Sequence, residues 1–216
     1  MTFSIVARCE RTGQCGVAAA TAMVAVGKLA SHAMAGHGAI ATQAELNPYI
    51  GYDGMRLLAG GMSAEQTLAR VLKNDSDPEA RQVGVIDGKG RTAAWTGHRN
   101  LRWSGHAFGR GFSVQGNRLA GPQVLDSVIR VMHATEDRPL AQRLLLAIEA
   151  GDAEGGDREG ERSSTIFVFD REEYPLWDIR VDDHDEPVKE LRRLFHLFEE
   201  RLLPEIEKMP KRGDTP

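Results

Sequence analysis

Hydrophobic residues near the start of the chain follow the pattern of short β-strands separated by a polar turn. Residues 3–9 and 15–21 predict two strands, and the turn around Thr12-Gly13 joins them. A third strand is predicted over residues 38–43. The second and third strands are rich in Gly and Ala, so we expect another layer of the protein to cross them closely.

The rest of the chain alternates between segments with helical periodicity and segments with strand periodicity. Asn47-Pro48 opens a helix that Gly60-Gly61 ends, and Ser63 with Gln66 forms a capping box for the next helix. Further helices are predicted over residues 122–133, 139–150 and 187–203. Further strands are predicted over residues 82–86, 92–96, 112–117, 165–169 and 177–181.

Antiparallel strand pairs and consecutive helices in this order predict an α+β fold and argue against a doubly wound parallel sheet. Two antiparallel sheets packed face to face, with the helix pairs outside, would use every element. We expect one domain over residues 1–203, followed by a charged, frayed tail over residues 204–216.

The composition restricts the kinds of binding partner and the cellular compartment that we expect. The chain has 216 residues and a net charge of −4, which argues against a nucleic-acid partner. It has no apolar run long enough for a membrane span and no signal peptide, so we expect a cytoplasmic protein. A cross-strand disulfide between Cys9 and Cys15 is geometrically possible, but two free thiols fit a reducing compartment better. We expect no metal and no cofactor.

The first residues carry the most specific chemical signal. A small hydroxyl residue, Thr2, follows Met1, and a strand starts at once. Removal of Met1 would leave Thr2 with a nucleophilic hydroxyl and its own α-amine as base, the pairing that N-terminal threonine enzymes use. Alternatively, Met-Thr is simply a common start and the strand has no catalytic role.

Taken together, the motifs of the chain resemble those of the domain of unknown function 1028 family. The resemblance rests on residues 2–8, 36–43, 81–87, 115–117, 120–122, 155–157 and 180–184, in that order along the chain. It implies the N-terminal nucleophile (Ntn) hydrolase-like fold, an αββα four-layer sandwich, but it brings no established reaction. The chain departs from the usual pattern at Cys9, where an acidic residue is common.

The resemblance implies roles for several side chains. Thr2 would be the nucleophile, cleaving an amide bond of a small molecule or short peptide-like substrate. Asn117 would stabilise the oxyanion, although an Asn after Gly also favours a turn. The candidate substrate-binding residues are Ser4, Gln43, Asn47 and Asp157. Asn47 has a structural alternative, which we favour, as a helix N-cap. Ser4 can simply pack, and Asp157 can lie in a solvated turn.

Other polar residues are weaker candidates. Lys28 can depress the pKa of a threonine amine if it lies nearby, but a surface position is the simpler interpretation. His32 and His37 can line a pocket, but a packing or surface role is the simpler interpretation. The run 182–184 is interpreted as structural, with Asp183 or Asp185 capping the last helix.

Two further functions stay open at this point. The chain can be a catalytically inactive Ntn-like fold that serves as a binding or assembly module, or a hydrolase with an internal nucleophile such as Ser4 or Cys9. A homodimer is plausible, because sandwiches with exposed sheet edges often associate.

Overall fold

The computed structural model describes residues 2–212, which form a mixed α+β protein with two antiparallel sheets. The strands are β1 Thr2–Arg8, β2 Cys15–Thr21, β3 Ser31–Met34, β4 Gly38–Ala44, β5 Arg81–Asp87, β6 Thr92–Thr96, β7 Gly105–Gly109, β8 Phe112–Asn117, β9 Ser163–Phe169 and β10 Trp177–Val181. The α-helices are α1 Val26–Ala30, α2 Pro48–Ala59, α3 Ala64–Asn74, α4 Gln123–Ala134, α5 Leu140–Ala153, α6 Pro187–Arg201 and α7 Leu203–Glu207.

The first strand lies in the middle of the larger sheet. The six-stranded sheet has the order β10-β9-β2-β1-β8-β7, and the four-stranded sheet has the order β3-β4-β5-β6. Thr2 on β1 pairs with Asn117 on β8, and Phe3 pairs with Ala20 on β2. The amino end of β1 therefore lies between two strand ends, which brings polar residues from three strands together.

Three groups of apolar side chains hold the elements in place. Helices α4, α5 and α6 cover one side of the six-stranded sheet through a large core that includes Phe3 and Ile5. Helices α2 and α3 cover the four-stranded sheet through a second core around Ile40. A third, small cluster joins the two sheets and consists of Val6, Val17, Ala39, Ala41 and Ile86. The small residues of β2 and β4 thus meet another layer closely, as their composition predicted.

Most predicted elements are present near their expected bounds, and both helix starts are confirmed. The Asn47 side chain accepts a hydrogen bond from the Tyr49 backbone, and Ser63 and Gln66 form the capping box of α3. The sequence analysis missed α1, β3 and β7. Helix α1 has only five residues, and β7 is a short edge strand bounded by glycine, so neither carries a long periodic pattern.

The expectation that Asp183 or Asp185 caps the last helix is wrong. The N-cap of α6 is Glu186, without a side-chain cap, whereas both aspartates form ion pairs with Arg162. Those pairs tie the start of β9 to the segment before α6. The segment 204–216, predicted as a tail, begins inside α7, and residues 213–216 lie outside the described residues.

The two sheets are in close contact where a glycine faces a glutamine. Gly84 on β5 lies opposite the side chain of Gln115 on β8, and a Cβ added to Gly84 would lie 2.5 Å from Gln115 Cδ and 2.6 Å from Nε2. No methyl group fits at these distances. Because Gly84 has no side chain, the Gln115 carboxamide can occupy the space next to it.

Replacing Gly84 by Ala should destabilise the protein by about 1–3 kcal/mol, the usual cost of forcing extra atoms into a packed interior. Urea unfolding followed by circular dichroism measures the change. Gly60→Ala is the matched control, because the nearest atoms to an added Cβ there lie at 3.4 Å at a helix end. Equal stability of Gly84→Ala and wild type would show that Gln115 can move aside.

Candidate active site

The site is built around the start of β1, where Thr2 is buried between neighbouring strands. The Thr2 Oγ1 donates a hydrogen bond to Thr21 Oγ1 at 3.1 Å. The Thr21 hydroxyl also accepts from the Met23 backbone N–H at 3.3 Å. On the other side, Asn117 faces Thr2 in the strand register. Two hydroxyls and a carboxamide therefore come together at the start of β1, in the middle of the sheet.

A network of buried side-chain amides connects the start of β1 to the four-stranded sheet. Gln43, on β4, donates from Nε2 to the Thr2 carbonyl oxygen at 3.1 Å and to Gln82 Oε1 at 2.8 Å. Its Oε1 accepts from the Ser4 hydroxyl at 2.6 Å. Buried amides are stable only when their donors and acceptors are matched, and here Gln43 uses both ends of its side chain.

Gln82 and Gln115 complete the network, and neither was singled out as a functional residue from the sequence. Gln82 accepts from Asn117 Nδ2 at 2.9 Å and donates from Nε2 to the Gly116 carbonyl at 2.8 Å. Gln115 donates to the Ser4 hydroxyl at 2.6 Å. The sequence indicates their role only through the position of an amide side chain within a strand of mostly apolar residues.

Asp157 lies on the loop after α5 and binds this loop to the end of β2. Its Oδ2 accepts from the Ala22 backbone N–H at 3.1 Å, and its Oδ1 accepts from the Glu159 N–H at 3.0 Å. Burial raises the pKa of the carboxyl, whereas the hydrogen bond from Ala22 opposes that rise. Ala22 directly follows Thr21, whose hydroxyl accepts the hydrogen bond from Thr2. Asp157 is therefore linked to the Thr2 hydroxyl through the Thr21-Ala22 segment.

Glu161 is a second acid, half-buried next to Asp157. Its Oε1 accepts from the Asp157 backbone N–H at 2.8 Å. Burial, together with the nearby carboxylate of Asp152, raises the pKa of Glu161 to about 7 against the opposing hydrogen bond from Asp157. The raised pKa belongs to the loop that supports the site.

The six candidate residues separate into three groups. Thr2, Ser4, Gln43 and Asn117 lie together in one connected set of hydrogen bonds, and Asp157 joins them through the backbone of the Thr21-Ala22 segment. Asn47 lies elsewhere: besides capping α2, it donates from Nδ2 to Asp75 Oδ2 at 2.6 Å.

Of the weaker candidates, His32 is buried on β3, and its ring meets the Tyr52 ring edge-on with centroids 5.0 Å apart. Burial lowers the pKa of His32, against an opposing hydrogen bond to the Leu29 carbonyl. Lys28 lies on α1. Cys9 and Cys15 are both free and buried.

The fold and site define a mixed α+β protein that buries Thr2 at the start of a central strand, against amides from a second sheet. The chain belongs to the family of unknown function DUF1028, whose profile matches residues 2–191. Within residues 2–212, the helices are too short or too polar to cross a membrane.

Among solved structures, the chain is similar to protein SPO2555 from Silicibacter pomeroyi, described as a DUF1028 protein. That structure shares 27% sequence identity with a TM-score of 0.90, over 99% of this chain and 96% of the other. Anbu (ancestral beta-subunit) from Yersinia bercovieri matches with 13% identity and a TM-score of 0.44, over 96% of this chain and 98% of that one. No curated protein matches the chain.

The raised pKa of Glu161 predicts a pH-dependent loss of stability. Between its ordinary pKa of 4.5 and its folded value of about 7, the folded protein retains a proton that the unfolded chain has released. Raising the pH through this window therefore favours unfolding. We expect the free energy of unfolding to fall from pH 5 to pH 8 more steeply in wild type than in Glu161→Gln.

Urea unfolding at both pH values measures this difference. Glu65→Gln is the control, because it removes a carboxylate that is exposed on the first turn of α3. Identical pH dependence of wild type and Glu161→Gln would contradict the prediction.

Proposed function

We propose that the protein is an Ntn-type hydrolase with an αββα arrangement of layers, which cleaves an amide bond with Thr2 as nucleophile. The observation that carries the proposal is the position of Thr2: a buried first-strand residue whose hydroxyl, carbonyl and strand partner all meet polar side chains. The placement of helices on two packed sheets supports the same fold.

The proposed reaction begins with removal of Met1, which frees the α-amine of Thr2. The amine takes the proton of the Thr2 hydroxyl as Oγ1 attacks the substrate carbonyl, and the C–N bond breaks when the leaving amine receives that proton. Water then hydrolyses the Thr2 ester. Substrate binding must first release the hydrogen bond from Thr2 Oγ1 to Thr21.

Asn117 is the proposed oxyanion donor. A carboxamide nitrogen carries two hydrogens, and Asn117 Nδ2 donates to Gln82 Oε1. Its second hydrogen is the one we assign to the oxyanion. The bond to Gln82 holds the amide in place, which is what such a donor requires.

A small substrate suits this site better than a polymer. Thr2 is only 6% exposed, so a long chain has no open path to its hydroxyl. Met23 and Val24 are exposed apolar residues, and the Met23 backbone N–H bonds to the same Thr21 hydroxyl as Thr2. They favour a substrate with an apolar part next to its amide.

A binding or assembly module is the second candidate. The hydrogen bonds that hold both the Thr2 hydroxyl and the Thr2 carbonyl favour it, because they also describe an ordinary strand end. The two candidates differ in whether the Thr2 hydroxyl reacts.

Intact mass spectrometry of the native protein, after treatment with a β-lactone, tests the nucleophile. We expect loss of Met1 and one covalent adduct in the wild type, and no adduct in Thr2→Ala. Thr92→Ala, a hydroxyl on β6 away from the site, should label like the wild type. Retained Met1, or equal labelling of Thr2→Ala and wild type, would refute the proposal and favour the binding module.

A further inference from the structure

The amide network around the candidate site continues beyond Gln82 to the edge of the larger sheet. Gln82 is fully buried, and its Oε1 accepts from Asn117 Nδ2 at 2.9 Å and from Gln43 Nε2 at 2.8 Å. Its Nε2 donates to Thr96 Oγ1 on β6 at 3.0 Å, and this oxygen lies 2.9 Å from Nδ1 of His106 on β7. One chain of hydrogen bonds therefore joins Asn117 to an exposed histidine.

The alternation of side chains along β7 turns this histidine toward the second sheet. Ala107 packs against the core under the helices, so the neighbouring His106 points to the opposite face, toward the four-stranded sheet. In the register of β7 and β8, His106 pairs with Gln115, another member of the network. The bond between Thr96 and His106 thus crosses from one sheet to the other.

The donors and acceptors of the chain follow from the hydrogens that each group carries. Thr96 Oγ1 accepts from Gln82, so its single hydroxyl proton is available for Nδ1 of His106. This arrangement requires a neutral imidazole that carries its proton on Nε2. A protonated imidazole has a hydrogen on both nitrogens, so Nδ1 would then donate to Thr96 and the last bond of the chain would reverse.

Reversal of that bond changes what Gln82 offers to Asn117. Nε2 of Gln82 has two hydrogens and three acceptors within reach: Thr96 Oγ1 and the carbonyl oxygens of Gly116 at 2.8 Å and Gly105 at 3.1 Å. The two carbonyls are fixed in the backbone, whereas the Thr96 hydroxyl is a better acceptor while it donates its own proton. Hydrogen bonds in such a chain strengthen one another, so loss of this polarisation also weakens the bond that Asn117 donates to Gln82.

The surroundings of His106 keep its ring neutral at neutral pH. Partial burial lowers the pKa of His106 below its ordinary value. Strand β7 packs mainly against β6, β8 and α4. Neither β6 nor β8 carries an ionisable side chain, and the ionisable residues of α4 lie on the helix side of the sheet, opposite to His106; they are Asp126, Arg130 and His133. The ring therefore takes up a proton only at mildly acidic pH.

We propose that Thr96 and His106 are positioning residues for the candidate active site, which hold the Asn117 carboxamide through Gln82 and hold it less firmly when the imidazole is protonated. This inference rests on the proposed function, in which Asn117 donates to the oxyanion. It adds a control of that donor by the protonation of an exposed group. Thr96 and His106 act on the reaction only through Gln82.

Nuclear magnetic resonance of the full chain tests the connection itself. The side-chain amide signals of Asn117 and the ring signals of His106 are followed from pH 5 to pH 8. We expect the Asn117 amide to shift with the apparent pKa of the His106 ring, and the shift to vanish in Thr96→Val, which removes the hydroxyl but keeps the shape of the side chain. Thr92→Val is the matched control, because Thr92 lies on the same strand but pairs with Ile86, so the Asn117 amide should titrate as in the wild type.

The rate of β-lactone labelling at Thr2 tests the effect on the reaction. Thr96→Val should slow labelling about fivefold, as expected for the loss of one supporting hydrogen bond, and Thr96→Ser, which keeps the hydroxyl, should restore the rate. In the wild type, protonation of His106 loosens the oxyanion donor, whereas His106→Asn has no ring to protonate. The labelling rate of His106→Asn relative to wild type should therefore rise as the pH falls from 7 to 5.

The two measurements separate this inference from the proposed function. An Asn117 amide that does not follow His106, or that follows it equally in Thr96→Val, would overturn the inference whether or not Thr2 reacts. Labelling of Thr96→Val at the wild-type rate would overturn it as well. Absence of labelling at Thr2 in the wild type, with the Asn117 titration as expected, would refute the proposed function and support the connection between His106 and Asn117.

Discussion

The buried amide network between the two sheets is the interaction on which the rest of the structure depends. Carboxamides are stable in an interior only when every donor and acceptor is paired, since an unpaired one costs about 1–3 kcal/mol. Gln43 and Gln82 bring the pairing groups from one sheet, and Ser4 and Gln115 bring them from the other. A slip of one residue in either sheet would break several of these bonds, so the network fixes the register of both.

The same network positions the candidate active site. Gln43 holds the Thr2 carbonyl and Gln82 holds the Asn117 amide, so two residues of one sheet set the distance between the threonine and its strand partner. Asp157, on the loop after α5, accepts a hydrogen bond from the Ala22 backbone N–H and so holds this loop next to the site. The polar groups around Thr2 are thus held in place by hydrogen bonds from β4, from β5 and from the loop after α5.

The sequence predicted what depends on local patterns. Alternating apolar and polar residues, glycine turns and the Ser63 capping box indicated the hairpins and most helices, and the first residues indicated Thr2 as a candidate nucleophile. The amide network could not be predicted, because Ser4 bonds to partners 39 and 111 residues away. Asn47 illustrates the same limit. Its role as a helix cap could be predicted from neighbouring residues, whereas its position away from Thr2 depends on the tertiary fold.

The candidate site lies at the start of β1 for a topological reason. The faces of this central strand are covered by helices on one side and by the second sheet on the other, so Ile5 and Val6 in its middle are fully buried. Its long edges are occupied by β2 and β8. In the proposed function, a substrate therefore approaches this strand at its start, where Thr2 meets Thr21 and Gln43.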